Sequence, residues 1–154
     1  MSSKETIGLA GEYAVAFELC RRGYYAQLTL GNHKKTDILV ETPDKLFRVS
    51  VKAKTGNQWP KVSGIWAKGD LLVFVDFKDK TLNDLPDFYV LDVKSWKSVA
   101  EGIVASKSDG AKLNSENTVY WDPYEGQPKG WKGCSISLSH VEKYKNRWPK
   151  ALSD

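Results

Sequence analysis

Phe47-Arg48-Val49-Ser50-Val51-Lys52-Ala53-Lys54 alternates without a break. Phe47, Val49, Val51 and Ala53 fall on one side of an extended chain, and Arg48, Ser50, Lys52 and Lys54 on the other, the pattern of a strand with one apolar face. Upstream, the turn pair Pro43-Asp44 separates this strand from a shorter one over residues 36–42, which opens on Asp37 and runs Ile38-Leu39-Val40. Before that, Gly31-Asn32-His33-Lys34-Lys35 reads as a polar, basic loop, and residues 24–30 as a β-prone run.

Working further outward, residues 4–22 predict a helix. Ile7, Ala10, Ala14 and Phe17 recur at helical spacing, Tyr13 and Cys20 widen the stripe, and Gly23 follows the basic pair Arg21-Arg22 as a C-terminal stop. Downstream, residues 71–77 are almost continuously apolar, as a strand buried on both faces requires. Residues 88–93 give a fifth strand. Trp96, Val99, Ala100, Ile103 and Val104 then form an amphipathic helical stripe. Ser139-His140-Val141-Glu142 has the form of a capping box for a last helix that carries Val141, Tyr144 and Trp148 and stops at Pro149. Residues 107–133 are rich in turns and have no assignable period. The order α-β-β-β, then β-β-α, predicts an α/β domain with a mixed central sheet flanked by helices. At 154 residues the chain fits one domain, 1–154, with a core over about 4–106 and a C-terminal extension over about 107–154.

Composition narrows the setting. Hydrophobic residues make up 41% and charged residues 27%, which excludes a disordered chain. No apolar run approaches the roughly 18 residues of a membrane span, and the N-terminus lacks a signal-peptide core. Cys20 and Cys134 make neither a CxxC pair nor a disulfide framework, so a reducing cytoplasm is expected. The net charge of +4 divides into +5 over residues 1–69 and −1 over residues 70–154. A basic N-terminal half favours a polyanionic partner there, although a solvated lysine-rich surface would give the same count.

Three residues stand out against this background. Glu12 has Leu9, Ala16 and Leu19 as helical neighbours, and a carboxylate in an apolar stripe needs a partner. Gly8 and Gly11 beside it allow a close approach to the helix. Glu18 is different, because Arg21 and Arg22 at i+3 and i+4 make it an ordinary surface ion pair. Asp37 opens an apolar strand, and Lys52 shares the polar face of the best strand. Taken singly, each has a plain structural explanation: an ion pair, a turn residue, a solvated lysine.

Together, Gly8-Leu9-Ala10-Gly11-Glu12-Tyr13-Ala14-Val15-Ala16 on the helix, Lys35-Thr36-Asp37-Ile38 on the second strand, and Phe47-Arg48-Val49-Ser50-Val51-Lys52-Ala53-Lys54 on the third resemble the PD-(D/E)XK nuclease superfamily. The likeness is to small members akin to Holliday-junction resolvases and covers residues 4–77. It implies a restriction-endonuclease-like αβββ core and a Mg²⁺- or Mn²⁺-dependent endonuclease acting on DNA. By position, Glu12 and Asp37 would be metal ligands and Lys52 the catalytic lysine. Many small members of that family are dimers, so a homodimer is expected. The chemistry is consistent: phosphodiester cleavage needs a hard cation with oxygen ligands and a positive charge beside the reacting phosphate.

One position departs from the pattern. The residue two before Lys52 should be Glu or Gln and is Ser50, a neutral and weak ligand, so metal binding at Glu12, Asp37 and Ser50 should be weakened. Glu41 lies about 13 Å further along its strand, at roughly 3.3 Å per residue, and is a poor substitute. His33, Lys34, Lys35, Lys54 and Lys61 are candidate phosphate contacts. Trp59 and Trp66 are read either as part of that surface or as packing on the sheet. His33 and His140 have no cysteine support for zinc.

Three readings follow: a metal-dependent endonuclease that tolerates Ser50, a nuclease fold that binds nucleic acid without cutting, and an interaction subunit of a DNA-processing or defence system. The last would use Tyr120-Trp121-Asp122-Pro123-Tyr124 and Trp131 as a protein-partner surface.

Overall fold

In the computed structural model, residues 3–29 and 36–149 are described. The chain begins with α1 (Lys4–Arg21), followed by β1 (Tyr25–Leu28), β2 (Ile38–Glu41) and β3 (Leu46–Lys54). Next come β4 (Gln58–Val62), β5 (Leu71–Asp76), β6 (Asp87–Asp92) and α2 (Val93–Ser106). The C-terminal part holds β7 (Lys112–Leu113), β8 (Val119–Trp121), β9 (Trp131–Lys132), β10 (Cys134–Ser137), α3 (Leu138–Val141) and a 3-10 turn, Glu142–Tyr144.

The central sheet runs β1-β2-β3-β5-β6, with β3 and β5 parallel and every other neighbouring pair antiparallel. It is therefore a mixed α/β sheet with the αβββ order expected from the sequence. Successive side chains alternate between its faces and build two cores. Val15 and Leu19 of α1 pack with Ile38, Val40, Val49, Val73 and Val75 on one face. On the other, Trp96, Ala100 and Ile103 of α2 pack with Leu72, Phe74 and Leu91, together with Trp59 and Ile136 from the β4-β10 ribbon. All six residues of β5 are buried, as expected of a strand covered on both faces. Among the described residues no helix is long and apolar enough to cross a membrane.

The structure corrects the sequence reading in four places. First, α1 does not bury the stripe of Ile7, Ala10, Ala14 and Phe17. It buries Gly11, Val15, Ala16, Glu18 and Leu19, leaving Tyr13 61% and Phe17 56% exposed. The helix is apolar on more than one side, so periodicity alone had two solutions. Second, Glu18 does bond Arg21 and Arg22, at 3.0 and 3.3 Å, but its side chain is buried rather than on the surface. Third, the segment after Lys54, to which periodicity assigned no strand, contains β4. Fourth, the last helix is capped two residues earlier than expected. His140 Nδ1 accepts the Ser137 backbone N–H at 3.0 Å, and the helix tightens to a 3-10 turn that ends before Trp148.

Candidate active site

Two glycines flank the helix side of the site, and only one is under pressure. A Cβ on Gly11 would lie 2.7 Å from Ala53 Cβ, so α1 reaches β3 as closely as it does only because residue 11 has no side chain. A Cβ on Gly8 would meet nothing within 4 Å. The contact at Gly11 fixes the next residue, Glu12, at the rim of the sheet, half-buried.

There the Glu12 carboxyl meets Asp37. Glu12 is raised from its ordinary value of 4.5 to about 7, first by loss of solvent, then by the charge of Asp37, then by the hydrogen bond to it. Below about pH 7 the Glu12 carboxyl therefore keeps its proton beside Asp37.

Asp37 is held from the other side by β3. Its backbone N–H donates to the Val49 carbonyl at 3.0 Å, and its Oδ2 accepts the Val51 N–H at 2.7 Å. These two bonds bracket Ser50. The carboxylate thus takes over the sheet's hydrogen bonding just where β2 begins, and the sequence Asp-Ile-Leu-Val folds so that its acid is both ligand-like and structural.

Ser50 faces away from α1 into a cavity of about 170 Å³, which it shares with Thr36, Arg48, Trp66 and Asp70. Arg48 Nη2 bonds Asp70 Oδ2 at 3.1 Å across this cavity. Asp70 is thus an acidic group beside the Ser50 position that the sequence reading missed. Its signal is the parallel pairing of Val49 with Leu71, which brings residue 70 alongside residue 48 and has no trace in local sequence.

Lys52 lies on the same face of β3 as Ser50, half-buried, and makes no hydrogen bond or ion pair with another described residue. Lys54 behaves otherwise. Its Nζ bonds Asp76 Oδ1 at 2.8 Å and the Gly56 carbonyl at 2.8 Å, and it sits 4.5 Å from the centroid of Trp59. At 5% exposure it is a core ion pair and not the phosphate contact expected. Trp59 is likewise core, with its Nε1–H donated to the Val75 carbonyl at 3.1 Å. Lys61 is exposed, its ammonium 4.9 Å from the centroid of Trp131. The expected contacts His33, Lys34 and Lys35 lie outside the described residues.

The donor set bears on a metal. Among the described residues no three His, Cys, Asp or Glu side chains gather. Two carboxylates do, and a pair of oxygen acids suits a hard divalent cation that keeps several waters and takes further oxygens from a phosphate. Among the described residues no His or Cys side chain joins the pair.

No protein-family model matches the chain, and no curated protein matches it by sequence. Among solved structures, the chain is similar to a bacterial homing endonuclease, I-Ssp6803I, with 20% identity over 60% of this chain and 71% of that one, at a TM-score of 0.45. It is also similar to Hjc, a Holliday junction resolvase from the archaeal hyperthermophile Archaeoglobus fulgidus, with 13% identity over 88% of each chain, again at a TM-score of 0.45.

Proposed function

We propose that this chain is a nuclease-fold protein that hydrolyses nucleic-acid phosphodiesters, DNA in the first instance, with Mg²⁺ or Mn²⁺ held by Glu12 and Asp37. The observation that carries the reading is the meeting of these two carboxylates at the start of β2, with Asp37 bonded to β3 on both sides of Ser50 and Lys52 two residues beyond. Bound there, a hard cation supplies polarisation of the phosphoryl oxygen and a more acidic water.

Each residue then has a distinct task. Glu12 gives up its proton to become a ligand, so occupancy rises as pH passes about 7. Asp37 is already fixed by the Val51 N–H and presents its remaining lone pairs. Ser50 offers a neutral oxygen where a carboxylate would bind more firmly. Lys52, with no bond to another described residue, has an ammonium available for the charge that grows on the phosphate during attack.

Ser50 also favours a second reading, in which the fold grips nucleic acid without cutting it. Plasmid and branched-DNA cleavage with Mg²⁺ and then Mn²⁺ separates the two, with Lys52→Ala purified identically. Metal-dependent cutting lost in the variant supports the nuclease. Absence of cutting by the native chain overturns it and leaves the binding protein.

A further inference from the structure

The C-terminal segment carries a feature the carboxylate site does not use. Strands β7, β8 and β9 form a small antiparallel sheet in which Trp121 and Trp131 are direct cross-strand partners. The two indoles border two cavities, one of about 500 Å³ and one of about 470 Å³. Both volumes fall in the range of about 300–1,000 Å³ typical of small-ligand sites.

The pair is held in place before any ligand arrives. Trp121 Nε1–H donates to Asp109 Oδ1 at 2.9 Å, and Trp131 Nε1–H donates to the Gly133 carbonyl at 2.9 Å. A Cβ on Gly130 would lie 2.1 Å from the Trp121 carbonyl, so the hairpin closes only around a glycine. Even so, Trp131 remains 55% exposed. Trp121 packs partly against the α2 core, while Trp131 presents an exposed indole whose N–H is already satisfied, which suits stacking.

Charge decides what stacks. Lys61, Lys129 and Lys132 line the larger cavity, and Lys107 lines the other, 5.9 Å from the Trp121 centroid. Two acids line the same cavities: Asp122 is paired with Lys112, and Asp109 accepts from Trp121 while keeping its charge, so the lysines outnumber the free acid. Lysine is depleted at protein interfaces, whereas aromatic rings set among lysines that form no ion pair with another described residue suit a strand of bases and phosphates.

We propose that the Trp121–Trp131 pair is a binding site for single-stranded nucleic acid, in which unpaired bases stack on the indoles and their phosphates meet Lys61, Lys129 and Lys132. The proposal shares with the preceding reading only the chemical class of the ligand. It is read out as binding in EDTA, so failed cleavage and failed stacking are distinguished.

The test is fluorescence anisotropy of the full chain with a short fluorescein-labelled oligothymidylate, against a blunt duplex of equal length. Trp131→Ala should weaken strand binding by about tenfold to a hundredfold and Trp131→Phe by much less, while duplex binding stays the same. Lys129→Ala with Lys132→Ala alters only exposed side chains. It should lower affinity and reduce the slope of log affinity against log salt by about 1.4. Native-like strand binding by both Trp131→Ala and the double lysine variant would overturn the proposal, and that is the result a protein-partner surface would give.

Discussion

Glu12 and Asp37, 25 residues apart in the chain, present their carboxyls to one another, one from α1 and the other from the residue just before β2. The native state therefore holds a proton on Glu12 that the unfolded chain, titrating near 4.5, has already lost. Between about pH 4.5 and about pH 7 the folded form binds more protons than the unfolded one, so stability falls as pH rises through that window and levels off above it. Glu12→Gln should remove this slope. Urea midpoints measured in EDTA from pH 4.5 to pH 8 should show the variant gaining on the native chain as pH rises, with the largest difference above pH 7.

Ser50→Glu puts an acid between the two β3 bonds of Asp37, one member of a pair that already resists a second charge. Without metal the variant should be less stable than the native chain at pH 8. With Mg²⁺ the order should reverse, because a third carboxylate strengthens cation binding. Thermal melts with and without Mg²⁺ check both halves, and cleavage should rise in the same variant if the native site is only short of a ligand.

The two helix glycines should respond oppositely to alanine. Gly8→Ala meets open space and should stabilise by about 1 kcal/mol through helix propensity. Gly11→Ala drives a methyl into Ala53 and should destabilise by about 1–2 kcal/mol net, since overpacking outweighs the propensity gain. Denaturant unfolding measures both, and Gly11→Ala should also lose the Glu12 titration step as the helix is pushed off β3.

Lys54→Ala leaves Asp76 buried with its ammonium gone and should cost about 3 kcal/mol or more. At a temperature where the variant is folded, its duplex-DNA affinity should match the native chain. A drop in affinity without a drop in stability would reverse the assignment of Lys54 to the core.

What the sequence made legible follows from how local each signal was. The alternation of β3, the unbroken apolar run of β5 and the stripe of α2 are local patterns, and all three elements stand where periodicity placed them. Asp37 was legible as the acid opening β2, although its bond to Val51 needed the partner strand. Lys54 read as a phosphate contact because its neutraliser, Asp76, is 22 residues away and reaches it only through the parallel pairing of β3 with β5. Strand β4 was hidden because only Trp59 and Val62 of its five residues are buried, too few to set a period. The face of α1 was ambiguous because Tyr13 and Phe17 are as apolar as the residues it buries.

Asp37 does two jobs with one carboxylate, and that limits what its removal can mean. Its Oδ2 stands in for a missing rung beside Ser50, so Asp37→Ala would loosen the start of β2 against β3 and delete the proposed ligand in the same stroke. Asp37→Asn keeps an oxygen for the Val51 N–H and changes chiefly the charge. Lys52 carries no such second duty among the described residues. Lys52→Ala is therefore the cleaner test of the proposed chemistry, because Asp37→Ala tests chemistry and sheet together.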